Sequence, residues 1–136
     1  MGTTYSVNFP VTPVAFQSTN NAALIENGGT VFISELNPAG TALLYSTYLG
    51  GSGGDYGNSL VIDASGDAFV AGSTASSNFP TTKGALETTL LGPWDGFVTK
   101  LNPAGAEEVY STFLGGSGQP ESKYTLNASP LAETSQ

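Results

Sequence analysis

Four short runs of the chain alternate apolar and polar residues or are rich in β-branched residues, which is the pattern of β-strands. These runs are residues 58–63, 68–74, 96–101 and 107–114. Alternation along the last run sets Tyr110 and Leu114 on one face and Ser111 and Phe113 on the other. The pattern therefore predicts strands that each present two different faces.

Turn-forming residues separate these runs. Between the first two, Asp63 can accept backbone N–H bonds from residues ahead of it and Gly66 can adopt positive φ, which predicts a tight hairpin. Between the last two, Asn102-Pro103-Ala104-Gly105 has the residues of a type I turn at its first, second and fourth positions. The four strands are therefore predicted to be antiparallel, with one long loop at 75–95 between the second and the third.

The chain contains nearly the same phrase twice. Residues 36–53 read LNPAGTALLYSTYLGGSG and residues 101–118 read LNPAGAEEVYSTFLGGSG, an offset of 65. A second pair, NFPVT at 8–12 and NFPTT at 78–82, is offset by 70. Self-similarity at a fixed period indicates a repeat architecture. We predict one domain, 1–136, with repeat 1 at about 1–71 and repeat 2 at about 72–136.

A repeat of four antiparallel strands cannot bury both faces of its sheet alone. Stacking such sheets around an axis does bury them, which is the architecture of a β-propeller. We therefore predict an all-β chain with two four-stranded antiparallel blades, whose ring is completed by oligomerisation. A β-sandwich is the alternative, although a strict internal repeat is unusual in a small sandwich.

Composition excludes several kinds of site. The chain has three Lys, no Arg and eleven acidic residues, a net charge of −8, which argues against nucleic acid and anionic membranes as partners. It has no Cys and no His, so disulfides, thiolate or imidazole metal sites and a Ser-His-Asp triad are excluded within one chain. Asp63–Asp67 lacks most ligands of a calcium loop. We predict no cofactor, no metal and no membrane insertion.

The phrase 97–116, the segment 61–74 and the string Asn78-Phe79-Pro80-Thr81-Thr82 together resemble the bacterial SBBP repeat, named for seven-bladed β-propellers. The resemblance covers roughly residues 1–118. It implies a propeller and an extracellular or cell-surface setting, although the chain shows no signal sequence. It implies no activity, because a repeat defines the family rather than a catalytic motif.

Residues 119–136 are a divergent tail. Leu126-Asn127-Ala128-Ser129 aligns with residues 62–65, so the tail either continues the repeat or frays. If it continues, residues 123–128 resemble a first strand without its blade, while 31–36 and 42–49 resemble third and fourth strands lacking a first. The tail of one subunit would then complete the first blade of the next. Two blades leave two open apolar faces, so we predict a homo-oligomer, and equivalent chains give it an even number of blades.

A trimer gives six blades and a tetramer gives eight, and both fit known propeller sizes of roughly four to eight blades. We favour the trimer, because some small bacterial lectins are similar in plan and build six blades from three two-blade chains.

Candidate binding residues lie in the loops on one side of the predicted ring. Asp55 and Tyr56 follow a Gly-rich link between repeats, and Trp94 and Asp95 lie in the long loop. We expect Trp94 to be at least partly exposed, and an exposed indole beside a carboxylate suits the apolar face of a sugar ring. The alternatives are purely structural: the glycines let the chain cross between blades, and Trp94 covers the sheet edge.

Three functions follow from these observations. The first is a non-enzymatic propeller module for ligand binding, adhesion or assembly, and the second is its sharper form, a binder of carbohydrate. The third is a carboxylate-based glycosidase or related hydrolase that uses Asp55 and Asp95. The sequence favours a non-enzymatic protein and identifies no catalytic residue, because paired acids arise by chance in an acidic chain.

Overall fold

The computed structural model describes residues 1–26 and 28–118. Within them the chain forms seven β-strands in two antiparallel sheets. The first sheet has the order β1-β2-β3 and the second has the order β4-β5-β6-β7. The strands are β1 (Gly2–Thr4), β2 (Thr30–Leu36), β3 (Leu43–Leu49), β4 (Asp55–Ile62), β5 (Ala68–Thr74), β6 (Asp95–Leu101) and β7 (Glu108–Leu114).

The second sheet confirms the predicted four-stranded antiparallel blade, in which each strand pairs with the next along the chain. The first sheet has three strands among the described residues, and these correspond to the last three strands of the second sheet. β4 starts at Asp55, earlier than the predicted 58, because the Gly-rich link already pairs with β5 through a register shift between Gly57 and Ser59. The predicted continuation of the repeat in residues 119–136 lies outside the described residues.

The predicted turns form as expected. The Asp63 carboxylate accepts N–H bonds from Ser65 and Asp67, both at 2.9 Å, and Gly66 has a φ of 89°. In the second turn Gly105 N donates to Asn102 O at 2.9 Å, and Ala106 N donates to Asn102 Oδ1 at 3.0 Å. Side-chain acceptors at both turns satisfy backbone donors that the sheets leave unpaired.

The long loop of each repeat covers one face of its own sheet. Phe79 packs on Phe97 with ring centroids 4.3 Å apart, and Phe9 packs in the same way on Phe32 at 4.2 Å. Each loop then pairs with the outermost strand, as when Phe113 N donates to Glu87 O at 3.0 Å. This pairing shields part of an edge strand that would otherwise be free to bind another chain.

The core lies between the two sheets and beneath the loops. Residues from both sheets form a single buried cluster, which comprises Val31, Ile33, Tyr45, Leu49, Ala68, Val70, Phe79, Phe97, Leu101 and Phe113. The turn between β6 and β7 fixes how the sheets meet, because a Cβ on Gly105 would lie 2.1 Å from the Tyr45 ring. Phe16 N also donates to Gly105 O at 2.9 Å, which ties the first loop to the second sheet.

The described residues include no helix long and apolar enough to cross a membrane.

Candidate functional site

The four predicted site residues lie at the end of the second sheet where the links between strands meet. Asp55 pairs with Thr74 in register, and Thr74 pairs with Asp95 on its other side. Directly paired residues present their side chains on the same face. The structure therefore brings the two carboxylates to one face of the sheet, with Thr74 between them.

Asp55 is fully buried and acts as an acceptor for its own surroundings. Its carboxylate accepts from Thr74 Oγ1 at 2.5 Å, from Ser76 Oγ at 2.8 Å and from Gly51 N at 2.9 Å. Burial raises the pKa of Asp55 from 3.8 to about 6, against the lowering effect of these hydrogen bonds. The side chain fastens the link between the sheets to the start of the long loop.

Asp95 is also buried and accepts from the backbone of its own loop. Leu91 N donates to one carboxylate oxygen at 2.7 Å, and Gly92 N donates to the other at 3.1 Å. Neither Asp55 nor Asp95 presents a carboxylate to solvent. Asp55 and Asp95 therefore both stabilise the conformation of the loops around them.

The aromatic residues of the site come together on the outside. The Tyr56 and Trp94 rings lie 5.6 Å apart at 33°, and both residues are half-buried. Trp94 is thus partly exposed, in keeping with the expectation from its loop. A Cβ on Gly54 would lie only 3.0 Å from the Trp94 ring, so this glycine lets the indole lie flat against the link between the sheets.

Sequence reasoning missed Tyr5 as a member of this group. Its side chain hydrogen-bonds Tyr56, whose pKa is raised chiefly by burial and then by this bond. Tyr5 is exposed and belongs to the first repeat, where it takes the place of Ala75 in the second. A comparison of the repeats for aromatic residues without a counterpart would have found it. We call Tyr5, Tyr56 and Trp94 the aromatic cluster.

Residues 1–26 and 28–118 contain no group of three or more acidic residues placed to bind a metal. The cation of Lys100 lies elsewhere, 3.5 Å from the Asp67 carboxylate and 4.9 Å above the Phe69 ring centroid. Lys100 therefore places no positive charge beside the aromatic cluster.

Comparison with known families agrees with this architecture. Residues 44–80 match the family model described as SBBP, a beta-propeller repeat. The match runs from β3 through β5 into the loop that carries Phe79. No curated protein matches the chain. Residues 44–80 are therefore similar to a β-propeller repeat of the SBBP family.

Proposed function

We propose that this chain is a non-enzymatic propeller module, acting outside the cell or on its surface, that assembles with further copies of itself. The observation that carries the proposal is a difference between the repeats. Tyr45 and Leu49 are 3% and 0% exposed, whereas their equivalents Tyr110 and Leu114 are 38% and 41% exposed. The first pair is covered by the second sheet, and the second pair has no sheet against it among the described residues.

The opposite side of the same strand provides an internal comparison. Leu44 is 57% exposed and its equivalent Val109 is 52% exposed, so the two repeats do not differ there. Tyr110 and Leu114 lie on one face of the sheet formed by β6 and β7. We call this the open face, formed by Val98, Lys100, Tyr110, Thr112 and Leu114.

The occupant we propose for the open face is the first sheet of a second copy. Within the chain, the equivalent face of the first repeat is covered by the second repeat. The same packing between two copies would cover the open face. The exposed apolar side chains of Tyr110 and Leu114 on this face favour a partner. If every open face is covered in this way the ring closes, and we favour three chains and six blades over four chains and eight.

Assembly is tested by light scattering coupled to size exclusion. We expect the chain to elute with three times its mass of 13.8 kDa. Leu114→Glu buries a charge in the proposed interface and is expected to give smaller species, whereas the control Val109→Glu, on the same strand, leaves the mass unchanged. A folded monomer at micromolar concentration contradicts the proposal.

The aromatic cluster supports carbohydrate as a ligand of this module. Partly exposed Tyr and Trp rings offer an apolar surface with a polar edge, which suits the apolar face and the hydroxyls of a sugar. The net charge of −8 disfavours an anionic ligand. Glycoside cleavage has no such support, because Asp55 and Asp95 are buried and already accept bonds from their own loops.

Glycan-array binding measures this second part of the proposal. We expect binding by the unchanged chain and its loss in Trp94→Ala. Leu86→Ala is the matched control, since Leu86 is a highly exposed apolar residue of the same loop. Binding that survives in Trp94→Ala, or no binding to any glycan, would rule out the cluster as a sugar platform.

A further inference from the structure

The two tyrosines of the aromatic cluster come from different repeats and meet end to end. Tyr5 lies directly after β1, and Tyr56 lies in β4, 51 residues further along the chain. Their hydroxyl groups share a hydrogen bond. This contact therefore joins the first repeat to the second through two phenol rings.

The backbone beside both tyrosines holds the two rings in place. Asp55 N donates to Gly29 O at 2.8 Å, so the residue before Tyr56 is tied to the residue before β2. A Cβ on Gly29 would lie 3.3 Å from Cζ of Tyr5. A Cβ on Gly54 would lie 3.7 Å from the hydroxyl oxygen of Tyr56. The hydroxyl end of each ring thus lies beside a glycine, and these two glycines flank the same backbone hydrogen bond.

The pair differs from other tyrosines of the chain in its access to solvent and in its neighbour. Tyr5 is 57% exposed and Tyr56 is half-buried, so a reagent in solution reaches the pair. Tyr48 is fully buried, and its hydroxyl donates to a backbone carbonyl at 3.0 Å. Tyr110 is exposed, but its ring lies 6.4 Å from the Phe69 ring, which carries no hydroxyl. Tyr5 and Tyr56 thus combine an accessible phenol with a second phenol in contact.

We propose that Tyr5 and Tyr56 are a site of oxidative cross-linking, at which a one-electron oxidant couples the two rings into dityrosine. Each phenol gives one electron and one proton to the oxidant. The two radicals then form a C–C bond between the ring carbons ortho to the hydroxyls, and the hydrogen on each coupled carbon moves to its phenolic oxygen. With hydrogen peroxide and a peroxidase as the oxidant, one peroxide is reduced to two waters for each cross-link. The site lies within one chain and is independent of self-assembly.

The hydrogen bond between the two hydroxyls favours this coupling. Each ortho carbon is bonded to the carbon that carries the hydroxyl, so both reacting carbons lie next to the shared hydrogen bond. Groups held together in this way react within one chain and do not depend on a collision between chains. The phenolic oxygen of one ring can also accept the proton that the other ring loses on oxidation. The product joins the repeats covalently in a chain that has no Cys with which to form a disulfide.

The experiment treats the full chain at low micromolar concentration with a peroxidase and hydrogen peroxide. Mass spectrometry of the denatured chain and of its peptic peptides follows the product. We expect a single chain lighter by two hydrogen atoms, in which the peptides of Tyr5 and Tyr56 are joined. Tyr5→Phe and Tyr56→Phe keep the rings and are each expected to lower the yield of this product at least about fivefold, whereas the exposed control Tyr110→Phe leaves it within about twofold.

The stability of the purified product provides a second measurement. A bond between residues 51 positions apart restricts the unfolded chain, so we expect the cross-linked chain to melt at least about 5 °C higher than the untreated chain. A cross-linked chain that melts no higher has been coupled in a distorted conformation, which overturns the inference. Equal yields from Tyr5→Phe and the unchanged chain also overturn it, as does coupling that joins only separate chains or other tyrosines.

Discussion

The buried carboxyl of Asp55 predicts that the protein becomes more stable as the pH falls from 7.5 to 5. Burial raises the pKa of Asp55 from 3.8 to about 6. Between these two values the folded chain holds a proton that the unfolded chain has released, so lowering the pH favours the folded state. With these two pKa values, Asp55 alone contributes about 1.4 kcal/mol of added stability between pH 7.5 and pH 5.

Asp55→Asn is expected to remove this part of the pH dependence. Asparagine keeps the shape and one acceptor oxygen, but its amide group opposes one of the donors that Asp55 accepts, so the variant is expected to lose about 1 kcal/mol at low pH. The diagnostic quantity is therefore the slope of stability against pH and not its absolute value. Urea unfolding at fixed protein concentration, followed by the fluorescence of Trp94, measures that slope at pH 5, 6 and 7.5.

Glu108 adds to the same trend and has to be separated from Asp55. Burial raises the pKa of Glu108 to about 7, and one of its oxygens is buried without a hydrogen-bond partner in the part of the chain that the structure describes. The side chain is partly open to solvent, so its contribution is screened. Measuring the slope of stability against pH in Glu108→Gln, and in the double variant that also carries Asp55→Asn, separates the contributions of the two residues. A stability that stays flat or rises from pH 5 to 7.5, or an Asp55→Asn slope equal to that of the unchanged chain, refutes the reasoning.

Three further outcomes follow from the fold. Gly105→Ala places a Cβ against Tyr45 at a φ of 63° and is expected to lower the free energy of unfolding by more than ~2 kcal/mol. The control Gly40→Ala has a similar φ of 69° but no neighbouring atoms, and is expected to lower it by about 1 kcal/mol. Thermal unfolding compares the two variants. Phe79→Ala leaves a cavity beneath the loop and is expected to cost about 3–5 kcal/mol in urea unfolding. EDTA is expected to leave the melting temperature within a few degrees, and a larger fall would reveal a bound metal.

The strands and turns that depend on near neighbours could be predicted from the sequence. Asp63 and Gly66 encode the hairpin between β4 and β5 within five residues, and the alternation in β7 reflects its two faces. β1 could not be predicted, because three residues of Gly and Thr have no strand pattern and its pairing partner lies about 28 residues away.

The candidate site was predictable only as a neighbourhood. The four named residues do lie at one end of the second sheet, because they belong to links on the same side of the strands. Burial of both carboxylates could not be predicted, since it depends on loop backbone that folds over them. Tyr5 joins the group from a separate repeat, a contact that no local pattern encodes.

The way each long loop closes over its sheet has a consequence for the order in which the protein forms during synthesis. Tyr48 N donates to Gln17 O and Phe113 N donates to Glu87 O, across 31 and 26 residues respectively. The backbone groups of a loop that has left the ribosome therefore cannot form these hydrogen bonds until the last strand of the same repeat has also emerged. Loop closure over such separations slows folding, so we expect the nascent chain to gain structure in two steps, near the emergence of Leu49 and of Leu114.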